Sequence, residues 1–225
     1  MYVCAMASPA LTLTLPRPDG LAYDPEIACR HLAEADPRLG ELMERAGPFT
    51  MRPLPTQSLF AALARSIVYQ QLSGKAAGTI LARTIQLFAP RRFPTPRDLL
   101  DASTERLRAA GLSAAKTAAL KDLAARTLVG TVPSLAQIRR MDDEAVIERL
   151  TEVRGIGRWT VEMLLIFRLG RPDVLPLTDL GVRKGFGVTF RRGRLPDPPV
   201  MLRRAERWRP YRSVASWYLW RALEL

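Results

Sequence analysis

The 225-residue chain holds only two cysteines, Cys4 and Cys29, and one histidine, His31. Two cysteines near the N-terminus match no metal-ligand spacing, so neither a structural zinc site nor an iron–sulfur cluster is expected. They also give no disulfide framework, and unpaired thiols fit a reducing cytoplasm. Lysine is scarce: Lys75, Lys116, Lys121 and Lys184 are all there are. No run approaches the roughly 18 apolar residues of a membrane-spanning helix. The apolar opening MYVCAMASPALTLTL lacks a basic flank, so it does not read as a signal peptide. Alternating period-two stretches are nearly absent beyond that opening, where LTLTL could form one short strand.

What the chain has in excess is arginine. Thirty-four basic residues face 22 acidic ones, for a net charge of +12. A GC-rich genome explains arginine over lysine but not the excess over acid. The planar guanidinium suits phosphate contacts, so nucleic acid is the expected partner, ahead of an anionic membrane surface. The 48% hydrophobic content suffices for a core without disulfides or metal.

Helical periodicity sets in after the proline-rich stretch from Pro16 to Pro25. Pro25 and Pro37 stand at first-turn positions of two short helices. Thr56 to Gln71 reads as one long amphipathic helix with Leu59, Phe60, Leu63, Ile67 and Val68 on its apolar face. Ser73, Ser103, Ser113 and Asp142 stand where N-caps belong, and Gly111 and Gly130 where helices stop. The pattern predicts an all-α protein of about ten helices joined by short loops.

The segment Leu150 to Thr160 is the most specific local feature. Gly155 and Gly157, separated by Ile156, permit a tight turn, and a helix begins at once with its N–H groups open. A phosphate can dock there without a side chain, and Arg154 and Arg158 add charge. An ordinary helical hairpin with a glycine cap is the plainer alternative. Some twenty residues on, after Gly170 and Pro172, Asp179 opens another helix. Alone it would be a helix cap.

Together these pieces resemble the helix-hairpin-helix DNA glycosylase superfamily, and most closely its alkyl-adenine branch of 3-methyladenine DNA glycosylase II type. The resemblance covers roughly residues 50–225. It rests on IVYQQLS (Ile67 to Ser73), GIGRWT (Gly155 to Thr160), LPLTDLGVRK (Leu175 to Lys184) and RWRPYRSVASWYLWRAL near the C-terminus. It implies two helical lobes with the substrate groove between them and no full N-terminal β-domain. Residues 1–50 would pack on the C-terminal lobe, and 51–225 would form the glycosylase core.

The resemblance also implies a chemistry. Asp179 would stabilise the positive charge that develops on the deoxyribose as the N-glycosidic bond of a flipped, alkylated purine breaks. Trp159 and Trp220 would line the base pocket with Met163 and Tyr69. Gln71 would fill the gap left in the duplex. Arg154, Gly155, Gly157, Arg158 and Thr160 would hold phosphate. Bifunctional relatives carry a lysine where this chain has Trp159, and indole forms no imine, so the nucleophile is expected to be water and no strand cleavage should follow.

Met163 stands where relatives can have tyrosine, and Arg154 replaces a usual proline; both bear on base preference. Duplex DNA carrying damaged bases is the expected partner of a cytoplasmic, nucleoid-associated monomer. Catalysis is expected to need no cofactor, although hairpins of this family can hold a monovalent cation against DNA. The alternatives are a glycosylase for oxidised or deaminated bases, a non-catalytic helix-hairpin-helix module, and a helix-turn-helix repressor.

Overall fold

A computed structural model describes residues 20–56 and 58–225. Among these residues there are thirteen α-helices, one 3-10 turn and no β-strand. The LTLTL segment lies outside the described residues. Pro96–Asp101 and Leu135–Ile138, of six and four residues, are among the helices that the sequence pattern did not announce.

Side-chain caps set most of the boundaries. Ser73, Ser103, Ser113 and Asp142 each accept a backbone N–H three residues on, which meets one of the orphan donors of a first turn. Capping boxes open two of the short helices, at Thr95 with Asp98 and at Ser134 with Gln137. The helix expected from Thr56 to Gln71 is shorter than the pattern suggested. It runs from Leu59 to Tyr69, because Ser58 caps it after Pro53 and Pro55 have kept the chain extended.

The helices pack in two groups around one continuous apolar core. The first contains α3 (Leu59–Tyr69), α4 (Gly74–Gln86), α5 (Pro96–Asp101), α6 (Thr104–Ala109), α7 (Ala114–Leu128), α9 (Asp143–Thr151) and α10 (Arg158–Phe167). The second joins α1 (Pro25–Ala35) and α2 (Pro37–Ala46) to α11 (Leu180–Phe190), α12 (Pro198–Ala205) and α13 (Arg212–Arg221).

Asp36 fastens the second group. Arg204 holds its carboxylate through two bonds of 2.7 and 2.6 Å, and the fully buried Trp208 donates its indole N–H at 3.0 Å. Trp208 and Trp217 are therefore packing residues; Trp217 sits edge-on to Phe49. One segment, between α10 and α11, carries the chain from the first group to the second. Asp173 anchors it to Arg212 and Arg209.

Candidate active site and DNA-binding hairpin

The α9–α10 hairpin turns on Gly155, whose φ of +78° suits glycine and whose added Cβ would lie 3.3 Å from the Cβ of Ala119. Ile156 is buried beneath the turn, and Asp122 accepts the backbone N–H of Arg154 at 2.8 Å. Helix α10 then begins at Gly157 with no side-chain cap. The N–H groups of Arg158 and Trp159 meet no acceptor among the described residues. Thr160 is half-buried behind them, its own N–H spent on the Gly157 carbonyl.

The two arginines of the hairpin part ways. Arg154 is exposed and in no ion pair among the described residues. Arg158 is engaged: it grips Glu144 through two nitrogens at 2.6 and 2.7 Å and reaches Glu162 at 3.1 Å. The Glu144 hydrogen bond raises the pKa of Arg158 and so holds the guanidinium still more firmly in its charged form. Its guanidinium thus lines a charged cavity of about 880 Å³ against a different face of α10. The carboxylates on α9 and α10 thus occupy the fork that the sequence reading offers to phosphate. Burial raises the carboxyl pKa of Glu162, with Arg158 opposing the shift.

Against the cleft-facing side of α10 lies a second space, about 570 Å³. Tyr69, Gln71, Trp159, Met163, Leu164 and Phe167 contribute to its walls, with Gly155, Gly157 and Thr160 at the hairpin end. Gln71 occupies the α3–α4 turn, exposed, in the left-handed region at φ 56°. That conformation is strained for a residue with a Cβ.

Two groups not assigned from the sequence hold the turn in place. Lys116 donates to the carbonyls of Val68 and Gln70 at 2.7 and 2.8 Å, and Gln70 donates its amide to Gly155 O at 2.8 Å. Burial lowers the pKa of Lys116. The Gln71 turn and the hairpin are therefore one hydrogen-bonded unit.

Asp179 caps α11. Its Oδ1 accepts the Val182 N–H at 2.8 Å and the Trp220 indole N–H at 2.8 Å; its Oδ2 accepts the Trp159 indole N–H at 2.7 Å. Every one of these donors is neutral, and among the described residues no arginine or lysine is paired with the carboxylate. Trp159 is 46% exposed, so one of its ring faces remains available on the cleft wall while its edge serves the carboxylate. Trp220 stacks at a tilt on Phe167, 5.5 Å between ring centres.

Trp159, Trp220 and Asp179 are thus brought together, with Met163, Tyr69 and Gln71 along the adjoining cleft. His31 lies elsewhere, edge-on to Tyr211. A carboxylate at the joint of two helical groups, beside an open helix-hairpin-helix, is the arrangement that decides the class. Residues 64–210 match the family described as the HhH-GPD superfamily base excision DNA repair protein.

The chain belongs to that family. It is 38% identical over 196 residues to a DNA-3-methyladenine glycosylase of Schizosaccharomyces pombe, covering 87% of this chain and 86% of that protein. The solved structure of the Schizosaccharomyces pombe 3-methyladenine DNA glycosylase in complex with abasic DNA matches with a TM-score of 0.77 at 38% identity, covering 88% of this chain and 97% of that one. A Bacillus halodurans DNA-3-methyladenine glycosidase matches with a TM-score of 0.80 at 34% identity, over 88% and 89%. In this HhH-GPD protein no helix of the described residues is long and apolar enough to cross a membrane. No group of three or more histidine, cysteine, aspartate or glutamate residues among them could hold a metal.

Proposed function

We propose that the protein is a monofunctional DNA glycosylase that removes alkylated purines such as 3-methyladenine and 7-methylguanine from duplex DNA. The observation that carries this reading is the state of Asp179: held by three neutral N–H groups, countered by no cation, and placed beside an aromatic cleft. A carboxylate that is fixed yet not neutralised can meet positive charge arriving at the sugar.

The steps follow from the geometry. Backbone N–H groups at the start of α10, with Arg154 beside them, grip phosphate without reading sequence. Gln71, presented from a strained turn, enters the space left by the flipped nucleotide, and its amide can pair with the orphaned base. The cleft, within the roughly 300–1,000 Å³ range of small-molecule sites, receives the base.

Its walls include the aromatic rings of Tyr69, Trp159 and Phe167 with Met163 and Leu164, beside the polar Gln70, Gln71 and Arg168, and the aromatic faces suit a flat cationic purine. Stacking and cation–π attraction to Trp159 would contribute about 0.5–2 kcal/mol. Such a wall reads charge and shape rather than hydrogen bonds, which favours alkylated over oxidised bases. As the C–N bond breaks, Asp179 stabilises the oxocarbenium-like sugar and orients the attacking water. The leaving base already carries positive charge, so no strong general acid is required. Trp159 offers no amine, so water takes the place of the departing base on the sugar, leaving an abasic site in an intact strand.

The test is Asp179→Asn. Single-turnover release of 7-methylguanine from a defined duplex should fall roughly 10²–10³-fold, while affinity for a duplex bearing an abasic-site analogue persists. Release at the wild-type rate would remove Asp179 from the mechanism. Borohydride should trap no enzyme–DNA adduct; a trapped species would overturn the monofunctional reading.

A further inference from the structure

Trp220 does more at the Asp179 centre than its place beside the base cleft requires. Its indole N–H points at Oδ1, which also takes the Val182 N–H. A carboxylate oxygen offers about two acceptor positions, so Oδ1 is filled, and both of its donors belong to the helical group that contains α11 and α13. Oδ2 is turned the other way, toward α10, and takes only the Trp159 indole. One acceptor position remains on the carboxylate, and it lies on Oδ2.

The backbone has been stripped to allow this. Gly181, in the first turn of α11, carries no side chain where an added Cβ would stand 2.7 Å from Cδ1 and 2.9 Å from Nε1 of Trp220, and 3.1 Å from Oδ1 of Asp179. Gly185, the next glycine along, would drive a Cβ to 1.8 Å from the Leu219 carbonyl oxygen. Glycine inside a helix carries an entropic cost, and here both bare positions face α13 just where it delivers Trp220.

We propose that Trp220 is a positioning residue, whose indole N–H, admitted by Gly181, locks Oδ1 of Asp179 so that Oδ2 alone faces the reacting sugar and its water. The proposal rests on the reading of Asp179 as the catalytic carboxylate. It assigns Trp220 to the acid's geometry rather than to stacking on the base.

Two substitutions separate those roles. Trp220→Phe keeps an aromatic ring against Phe167 and removes the N–H. Gly181→Ala keeps the indole and displaces it, at a position whose backbone is already helical. Each variant should lower the single-turnover release rate about thirtyfold to a hundredfold, the scale of misplaced reacting groups, with affinity for a duplex carrying a 2′-fluoro-stabilised, uncleavable 7-methylguanine within about twofold of the parent. Gly181→Ala should fold with a melting temperature lowered by no more than a few degrees, since the helix propensity of alanine offsets part of its clash with the indole.

A loss of affinity matching the loss of rate in Trp220→Phe would make Trp220 a stacking residue and overturn the proposal. Wild-type rates in both variants, with Asp179→Asn inactive, would overturn it while leaving Asp179 its role. An active Asp179→Asn would instead remove the reading beneath it.

A spectroscopic arm needs no turnover. Four tryptophans give four indole N–H signals in a ¹⁵N-labelled sample. Asp179→Asn should move those of Trp159 and Trp220 and leave those of Trp208 and Trp217 in place. An unmoved Trp220 signal would show that the bond is absent in solution.

Discussion

Two helices in succession begin at the site, and they treat their N-termini in opposite ways. Helix α10 starts at Gly157 with no side-chain cap, its first N–H groups unclaimed. Helix α11 starts at Asp179, whose carboxylate caps its own helix and takes two indoles besides. The electrostatics of the two ends are alike, since each gathers partial positive charge. One end is left vacant and can receive an anion from outside. The other is occupied by an anion from within, which is thereby held still for chemistry. On the proposed reading, binding and reaction are divided between an empty cap and a filled one.

The sharpest way to break this contrast is to fill the empty one. Gly157 has extended φ and ψ and nothing within 4 Å of an added Cβ, so Gly157→Asp fits and should cap α10. Fold stability should rise by a few tenths of a kcal/mol, while affinity for damaged duplex falls about thirtyfold, roughly 2 kcal/mol. Fluorescence anisotropy at two salt concentrations would check it. Unchanged affinity would mean the hairpin end holds no phosphate. Release from saturated enzyme should be nearly unaffected, the converse of Asp179→Asn.

Gly155→Ala tests the turn that aims the vacant cap. A left-handed alanine costs about 1–2 kcal/mol, and the contact with Ala119 adds to it. The melting temperature should fall by several degrees, and affinity with it; a melting curve superimposable on the parent would show that the turn relaxes freely.

Gln71→Ala should slow release from fully paired sites about three- to fivefold, a loss on the order of 0.6–1 kcal/mol, and spare mismatched sites. Equal slowing in both contexts would remove the wedge role.

The smallest effect concerns pH, and it compares Asp179 with Asp36, another aspartate that accepts an indole. Burial alone would raise the Asp36 pKa. The hydrogen bonds from Arg204 and Trp208 more than offset that, holding it below its ordinary value of 3.8. A carboxyl lowered in the folded state stabilises the fold above its unfolded pKa, and this contribution is lost as pH falls through the folded value. Asp36→Asn should therefore flatten the acid limb of the stability curve below about pH 4, as urea melts across that range would record. The contrast is instructive: Asp36 has a guanidinium partner and serves the fold, whereas Asp179 has none.

Much of this was legible in the residues. Caps at Ser73, Ser103, Ser113 and Asp142 are local events, governed by three or four neighbours, so their boundaries could be read from the chain. The hairpin and the Asp179 cap are local as well. What could not be read were bonds between groups distant in sequence: Lys116 to the end of α3, Gln70 to Gly155, Arg158 to Glu144, and the two indoles to Asp179. No periodicity announces them.

The ion pairs of Arg158 were illegible for that reason, since charge predicts attraction to phosphate but does not announce an acceptor on α9. The glycines of α11 were a partial signal. Gly181, Gly185 and Gly187 within eleven helical residues contradict helix propensity unless another backbone comes close.

That close approach of α11 to α13 separates what the protein does from what it does it to. Acid and indole are registered by main chain against main chain, where a substitution has no room to adjust them. The walls at Tyr69 and Met163 come from α3 and α10 and carry no part of that register. On the proposed reading, the range of bases accepted can therefore drift, or be redesigned, at Tyr69 and Met163, while Trp159, a wall residue bonded to Asp179, stays with the cutting chemistry.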